Sequence, residues 1–336
     1  MKHPIPQSKM LVEARVGGKG HSWGLECLIF LAVFAVAQTF LSIPVSIATV
    51  IWLFTGDVIP SLVHSMETGA IAYSEAINAL LTDMPEWLML VQLFSTVISI
   101  VVAILFCRLI EKRSVSSMGL RKGRVLSEYL VGCVVGIVLI SLCVGICMAC
   151  GGMTLRLTDF SVAVWLLYLV GFLIQGASEE ILCRGYMMIS VSRKNALWLA
   201  VMTNSVMFSL LHIFNPGFGM LPLINIALFG AFASVHALKR GNLWGVCAIH
   251  SLWNFFQGNV FGISVSGTGT GASPLASHIK DGMSWLHGGS FGLEGGLAVT
   301  LVMTAALLLA IFVMPANKKE VAECTEIKDA LKGDAL

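Results

Sequence analysis

Charge is what this sequence has least of. Asp, Glu, Lys and Arg make up 12% of its 336 residues, against roughly 25% in an ordinary soluble domain. With 57% hydrophobic residues and a mean hydropathy of +0.85, that shortage excludes a soluble globular protein. Other features are missing too. No HExxH motif is present, so no single helix supplies two zinc ligands one turn apart. The closing Gly-Asp-Ala-Leu has no Cys four residues from the end, which excludes a prenylation signal on this chain. The nine cysteines lie mostly in apolar runs, where they act as small hydrophobes. The Cys147–Cys150 CxxC has no second pair or nearby His run that would mark a metal or redox site. No internal repeat, soluble domain or nucleic-acid partner is indicated.

What is abundant is the long apolar run. Eight of them, at about 27–54, 87–109, 128–150, 161–191, 196–214, 220–238, 243–260 and 296–314, predict an all-α, polytopic helical membrane protein of about eight spans. Eight spans put both termini on one side. If that side is the cytoplasm, only Arg156 and Lys280 of the twenty-one Lys and Arg fall outside, so the positive-inside rule selects N-in and C-in. The organisation expected is a cytoplasmic segment at 1–25, one transmembrane helical domain at 26–314 and a charged cytoplasmic tail at 315–336. The first run is too long for a signal-peptide core and reads as an uncleaved anchor. Pro44 within it is tolerable as a kink. Residues 55–86 form an acidic loop without Lys or Arg, and 262–295 a long Gly- and Ser-rich loop.

Against this background Gly176–Tyr186, GASEEILCRGY, stands out. Ionisable groups within a membrane helix are costly and point to function. Glu180 and Arg184 stand at i,i+4 with the acid first, the favourable order for a helical ion pair, which leaves Glu179 without a local partner. Two later spans bring further polar groups. Phe208 and His212 lie one turn apart on the fifth, and His250 and Asn254 share a face of the seventh. At ~1.5 Å per residue these groups lie roughly 13–25 Å deep, so one shared cavity is geometrically open to them. Each has a plainer reading: His212, His250 and Asn254 as hydrogen-bonding links between helices, Glu180 and Arg184 as a structural pair, Phe208 as core packing. The weight lies in the set, polar groups on three helices at matched spacing.

Two chemistries suit it. A shielded carboxylate serves as a general base near neutrality. One imidazole then holds the water, and a second imidazole with an amide donor stabilises an oxyanion. Alternatively Glu179, His212 and His250 supply three ligands of a catalytic zinc with the fourth position left to water. Spacing does not separate these, so the cofactor is either none or a divalent metal such as zinc.

The three motifs resemble those of the CAAX-processing and bacteriocin-processing (CPBP, or Abi) intramembrane proteases, which include the type II CAAX prenyl endopeptidases. That family's EExxxR, FxxxH and HxxxN/B appear in order as Glu179-Glu180…Arg184, Phe208…His212 and His250…Asn254. The resemblance covers about residues 160–260. It implies that Glu179 and His212 activate the attacking water, that His250 and Asn254 stabilise the oxyanion, and that Glu180, Arg184 and Phe208 support the site. It further implies an intramembrane endopeptidase in a plasma membrane, acting on a membrane-associated peptide or protein: a lipidated CAAX-type tail, a leader, or a bacteriocin-like peptide. The competing readings are a non-enzymatic immunity or regulatory scaffold of the same fold and a proton-coupled transporter. Oligomeric state is not legible.

Overall fold

The computed structural model describes residues 8–16, 18–55, 58–68, 85–269 and 271–317. The expected tail beyond 317 and the acidic residues Glu75 and Asp83 lie outside the described residues. Long helices dominate: α2 (Trp23–Thr55), α4 and α5 (Glu86–Ser95 and Val97–Leu109), α6 (Val125–Ala149), α7 (Val162–Glu180) and α10 (Met220–Arg240). α7 continues through a wide π-helical stretch, Ile181–Met188, into α8 (Ile189–Lys194). Shorter helices are α1 (Lys9–Val16), α3 (Val58–Glu67), α9 (Leu197–Leu210), α11 (Trp244–Asn259) and α12 (Leu297–Phe312).

Among the described residues, five helical stretches are long and apolar enough to cross a membrane: 23–55, 86–109, 125–149, 162–194 and 220–240. The other three expected spans are helical but shorter. α9 stops after 14 residues because the chain tightens into a turn, with the His212 N–H on Ser209 O and the Asn215 N–H on His212 O, ahead of Pro216 and Gly217. The large apolar side chains of α2, among them Leu28, Phe40, Ile47 and Phe54, are exposed, which suits lipid contact. Two-thirds of the apolar window of α10 is buried, against 17% for α2, so α10 is central and α2 peripheral.

One small sheet stands beside the expected helices. Residues 153–157 and 275–279 pair as an antiparallel two-stranded sheet, β1 (Met153–Leu157) and β2 (Leu275–Ile279), with Met153 opposite Ile279 and Leu157 opposite Leu275. A five-residue strand cannot bury a face alone, and pairing satisfies the backbone groups of both. The N-terminal segment contributes a packed helix. In α1, Met10, Leu11, Val12 and Ala14 are buried, and Glu13 pairs with Arg121 at 3.2 Å.

Charged side chains tie the helix ends together. Arg193 bridges Glu26 of α2 and Glu111, which also takes Arg113 Nε at 2.7 Å. Glu128 of α6 receives Arg240 of α10 through both guanidinium ends. Lys239 Nζ donates to Ile311 O and Met314 O at the end of α12. Within the bundle, helices approach through glycine. A methyl at Gly132 or Gly136 of α6 would stand 2.3 Å from Gly245 O or 2.6 Å from Ile249 O of α11, the small-residue contact usual between membrane helices.

Candidate active site

The site forms where α7, α9 and α11 converge. α7 and α11 touch at Gly176, where a methyl would lie 2.5 Å from Ser251 Oγ and 2.7 Å from Ser251 N. That contact brings Glu180 to His250, one residue from Ser251. Glu179 and Glu180 are the last residues of α7, and the π-helical stretch that follows is buried at all eight positions. Wide turns of this kind recur at functional sites because they re-aim side chains relative to a regular helix.

Glu180 and Arg184 form the expected pair, Nη1 to Oε1 at 2.9 Å, with both side chains fully buried. The same Glu180 oxygen lies 2.8 Å from His250 Nδ1, a contact that sequence spacing did not reveal. With Nδ1–H donating to the carboxylate, the imidazole is fixed in orientation and its Nε2 is left for other work. Nε2 lies 3.7 Å from Glu179 Oε2. Phe208 does more than fill the core. Its ring lies 4.1 Å from the Arg184 guanidinium carbon, and the rings of His212 and His250 meet it at centroid distances of 5.2 and 5.9 Å.

Glu179 has a local partner, contrary to expectation. Gln175, one turn earlier, donates its amide N–H to Glu179 Oε1 and accepts from Asn254 Nδ2 at 3.0 Å. Asn254 therefore reaches Glu179 through Gln175. Gln175 was legible as the i−4 neighbour on the helix face of Glu179, but as a neutral side chain it carried no cost signal. Glu179 Oε2 has no hydrogen-bond partner. His212 sits in the turn after α9, its Nδ1 held 2.8 Å from Phe208 O.

Glu179, His212, His250 and Asn254 all line one cavity of about 360 Å³, with Gln175 and Phe208 on its wall, a size usual for a small-ligand or peptide site. Asn215, Asn225, Ser266 and Glu294 also line the cavity. Burial raises the Glu294 carboxyl from 4.5 to about 7, partly offset by hydrogen bonds from Gln257 and Ser266. Sequence reading passed over this residue because it sits in a Gly-rich loop without a motif.

A catalytic zinc needs three converging protein ligands. Among the described residues no three His, Cys, Asp or Glu side chains are grouped to hold one ion, so Glu179, His212 and His250 do not fit that role in this arrangement. Cys147 and Cys150 are separate thiols, one buried and one exposed.

Residues 161–256 match the family model described as "Type II CAAX prenyl endopeptidase Rce1-like". The match spans α7 to α11 and takes in all seven motif residues, from Glu179 to Asn254, and Gln175. It ends before Glu294. No curated protein and no solved structure matches the chain. The chain thus carries an Rce1-like domain within an integral membrane protein.

Proposed function

From the Rce1-like domain at residues 161–256, we propose that this chain is an intramembrane endopeptidase that hydrolyses a peptide bond of a membrane-associated peptide or protein. The observation that carries the proposal is the state of Glu179, a residue that lines the cavity: one carboxylate oxygen is held by Gln175, and the other is buried without a hydrogen-bond partner, 3.7 Å from His250 Nε2. A fixed carboxylate with a spare oxygen in a poorly hydrated pocket is suited to take a proton from water.

In this account Glu179 is the general base. His212, whose Nδ1 is committed to Phe208 O, offers Nε2 to hold the attacking water. The proton passes to Glu179 as oxygen attacks the carbonyl carbon, and it is then delivered to the departing amine. The Nε2 edge of His250 faces the developing oxyanion and stabilises it, with Glu180 and Arg184 fixing the ring from behind. Asn254 serves the oxyanion by exchanging its bond to Gln175. No step passes through a metal. The Lys and Arg distribution supports both termini in the cytoplasm, and a plasma membrane rests on the family resemblance alone.

The test is a comparison of peptide termini in membranes containing wild type or Glu179→Gln at matched abundance. Termini present only with wild type are the expected result. Identical termini, with both proteins folded, would remove the endopeptidase reading.

A further inference from the structure

Among the described residues, buried carboxylates follow a pattern with one exception. Glu26, Glu111, Glu128 and Glu180 have side chains at most 7% exposed, and each faces an arginine within 4 Å. Glu294 is as buried, at 6%, yet among the described residues no Lys or Arg reaches it. Its partners are neutral: Gln257 Nε2 and Ser266 Oγ donate to its two oxygens. Gln257, itself fully buried, keeps its own Oε1 without any partner. The surroundings thus hold more acceptors than donors, and they adjoin the cavity that contains Glu179. A buried carboxylate without a cation is costly, and what this place lacks is a group carrying positive charge and several N–H donors.

The loop is built to hold the carboxylate there. Asn225 Nδ2 donates to the Glu294 and Gly296 carbonyls, and Asn215 Nδ2 donates to Ser266 O. Asn215 also ends the turn that holds His212, so the carboxylate is fixed relative to the reactive centre. Gly292 is required at its position: with φ +97°, a Cβ there would stand 1.9 Å from Ser264 O.

We propose, resting on the endopeptidase reading, that Glu294 is a specificity-determining residue that receives the ammonium or guanidinium of a Lys or Arg side chain of the substrate. The register follows from α11. His250 and Gln257 are seven residues apart, about 10 Å along the helix, and an extended peptide advances about 3.3–3.6 Å per residue. The basic residue therefore lies within about three positions of the cleaved bond. Substrates are apolar peptides with one basic side chain close to the scissile bond.

Binding is measured on the full-length Glu179→Gln protein, so that no cleavage is needed. The probe is an N-acetylated apolar peptide in which a single Lys is walked along the sequence, each paired with its norleucine analogue. At one register the Lys peptide binds at least about tenfold tighter, equivalent to ~1.4 kcal/mol. Adding Glu294→Gln brings the pair to within about twofold. Equal binding of Lys and norleucine peptides at every register overturns the proposal, as does a Lys preference that survives Glu294→Gln. If Glu294→Gln does not fold, Glu294→Asp, which withdraws the charge by one methylene, must weaken the preference; an unchanged preference overturns it. A Lys preference in a protein whose wild type cleaves nothing would refute the protease reading and leave the cation site standing.

Discussion

Removing the guanidinium of Arg184 should damage the protein more than removing the whole ion pair. Arg184→Met leaves Glu180 fully buried with His250 Nδ1 as its remaining partner. Breaking a buried pair from one side costs about 3–5 kcal/mol, and loss of the cation over the Phe208 ring, 4.1 Å away, adds about 1–2 kcal/mol. The pair is itself imperfect, because Arg184 Nε, Arg184 Nη2 and Glu180 Oε2 have no partner, so the lower part of that range is expected. In Glu180→Leu/Arg184→Met no stranded charge remains, and such replacements are often neutral or stabilising. The double variant still loses the cation over Phe208, about 1–2 kcal/mol, and should melt above Arg184→Met. It should still be inactive, because His250 has lost the carboxylate that orients it. Thermal unfolding of the detergent-solubilised protein, followed by tryptophan fluorescence, supplies the comparison. A double variant that melts as low as the single one would refute the stranded-charge argument. Full activity in the double variant would refute the orienting role of Glu180.

Two further outcomes follow from the same geometry. Gly176→Ala should push α7 from α11, since the new methyl would meet Ser251 at 2.5–2.9 Å; turnover should fall at least about tenfold with a stability loss of about 1–3 kcal/mol, and unchanged turnover would show that this contact does not set the Glu180–His250 distance. For Glu294, the folded-state pKa of about 7 lies above the ordinary 4.5, so its proton stabilises the fold fully below about pH 4.5, and that contribution is lost as pH rises through about 7. Without substrate, Glu294→Gln should therefore gain stability relative to wild type over that window, by on the order of 3 kcal/mol; parallel melting curves from pH 4.5 to 8 would contradict the unpaired-carboxylate reading.

The charged and polar residues of the site were legible because a membrane helix makes each of them expensive. Glu179, Glu180, Arg184, His212, His250 and Asn254 announced themselves by being where apolar side chains belong, and helical spacing correctly paired Glu180 with Arg184. Spacing could not show that Glu180 also holds His250, since that contact depends on how closely Gly176 lets α11 approach. Neutral Gln175 raised no alarm, although it links Glu179 to Asn254. The long apolar helices and α11 were read within a few residues, but the end of α9 was set by the turn at His212–Asn215 rather than by hydropathy. The β1–β2 pairing escaped because each strand is five residues long and finds its partner more than a hundred residues away. Glu294 was hidden for a related reason: its burial is created by loop packing, which leaves no periodic trace.

The central claim is that Glu179 activates water, and the most direct test is the turnover of purified Glu179→Gln on a peptide cleaved by wild type. The substitution keeps the side chain's size and its hydrogen bond to Gln175 while removing the base. A fall in kcat of about 10²–10⁴-fold or more, with peptide binding within a few fold of wild type, is the predicted result. Turnover within tenfold of wild type would contradict the account and take Glu179 out of the chemistry.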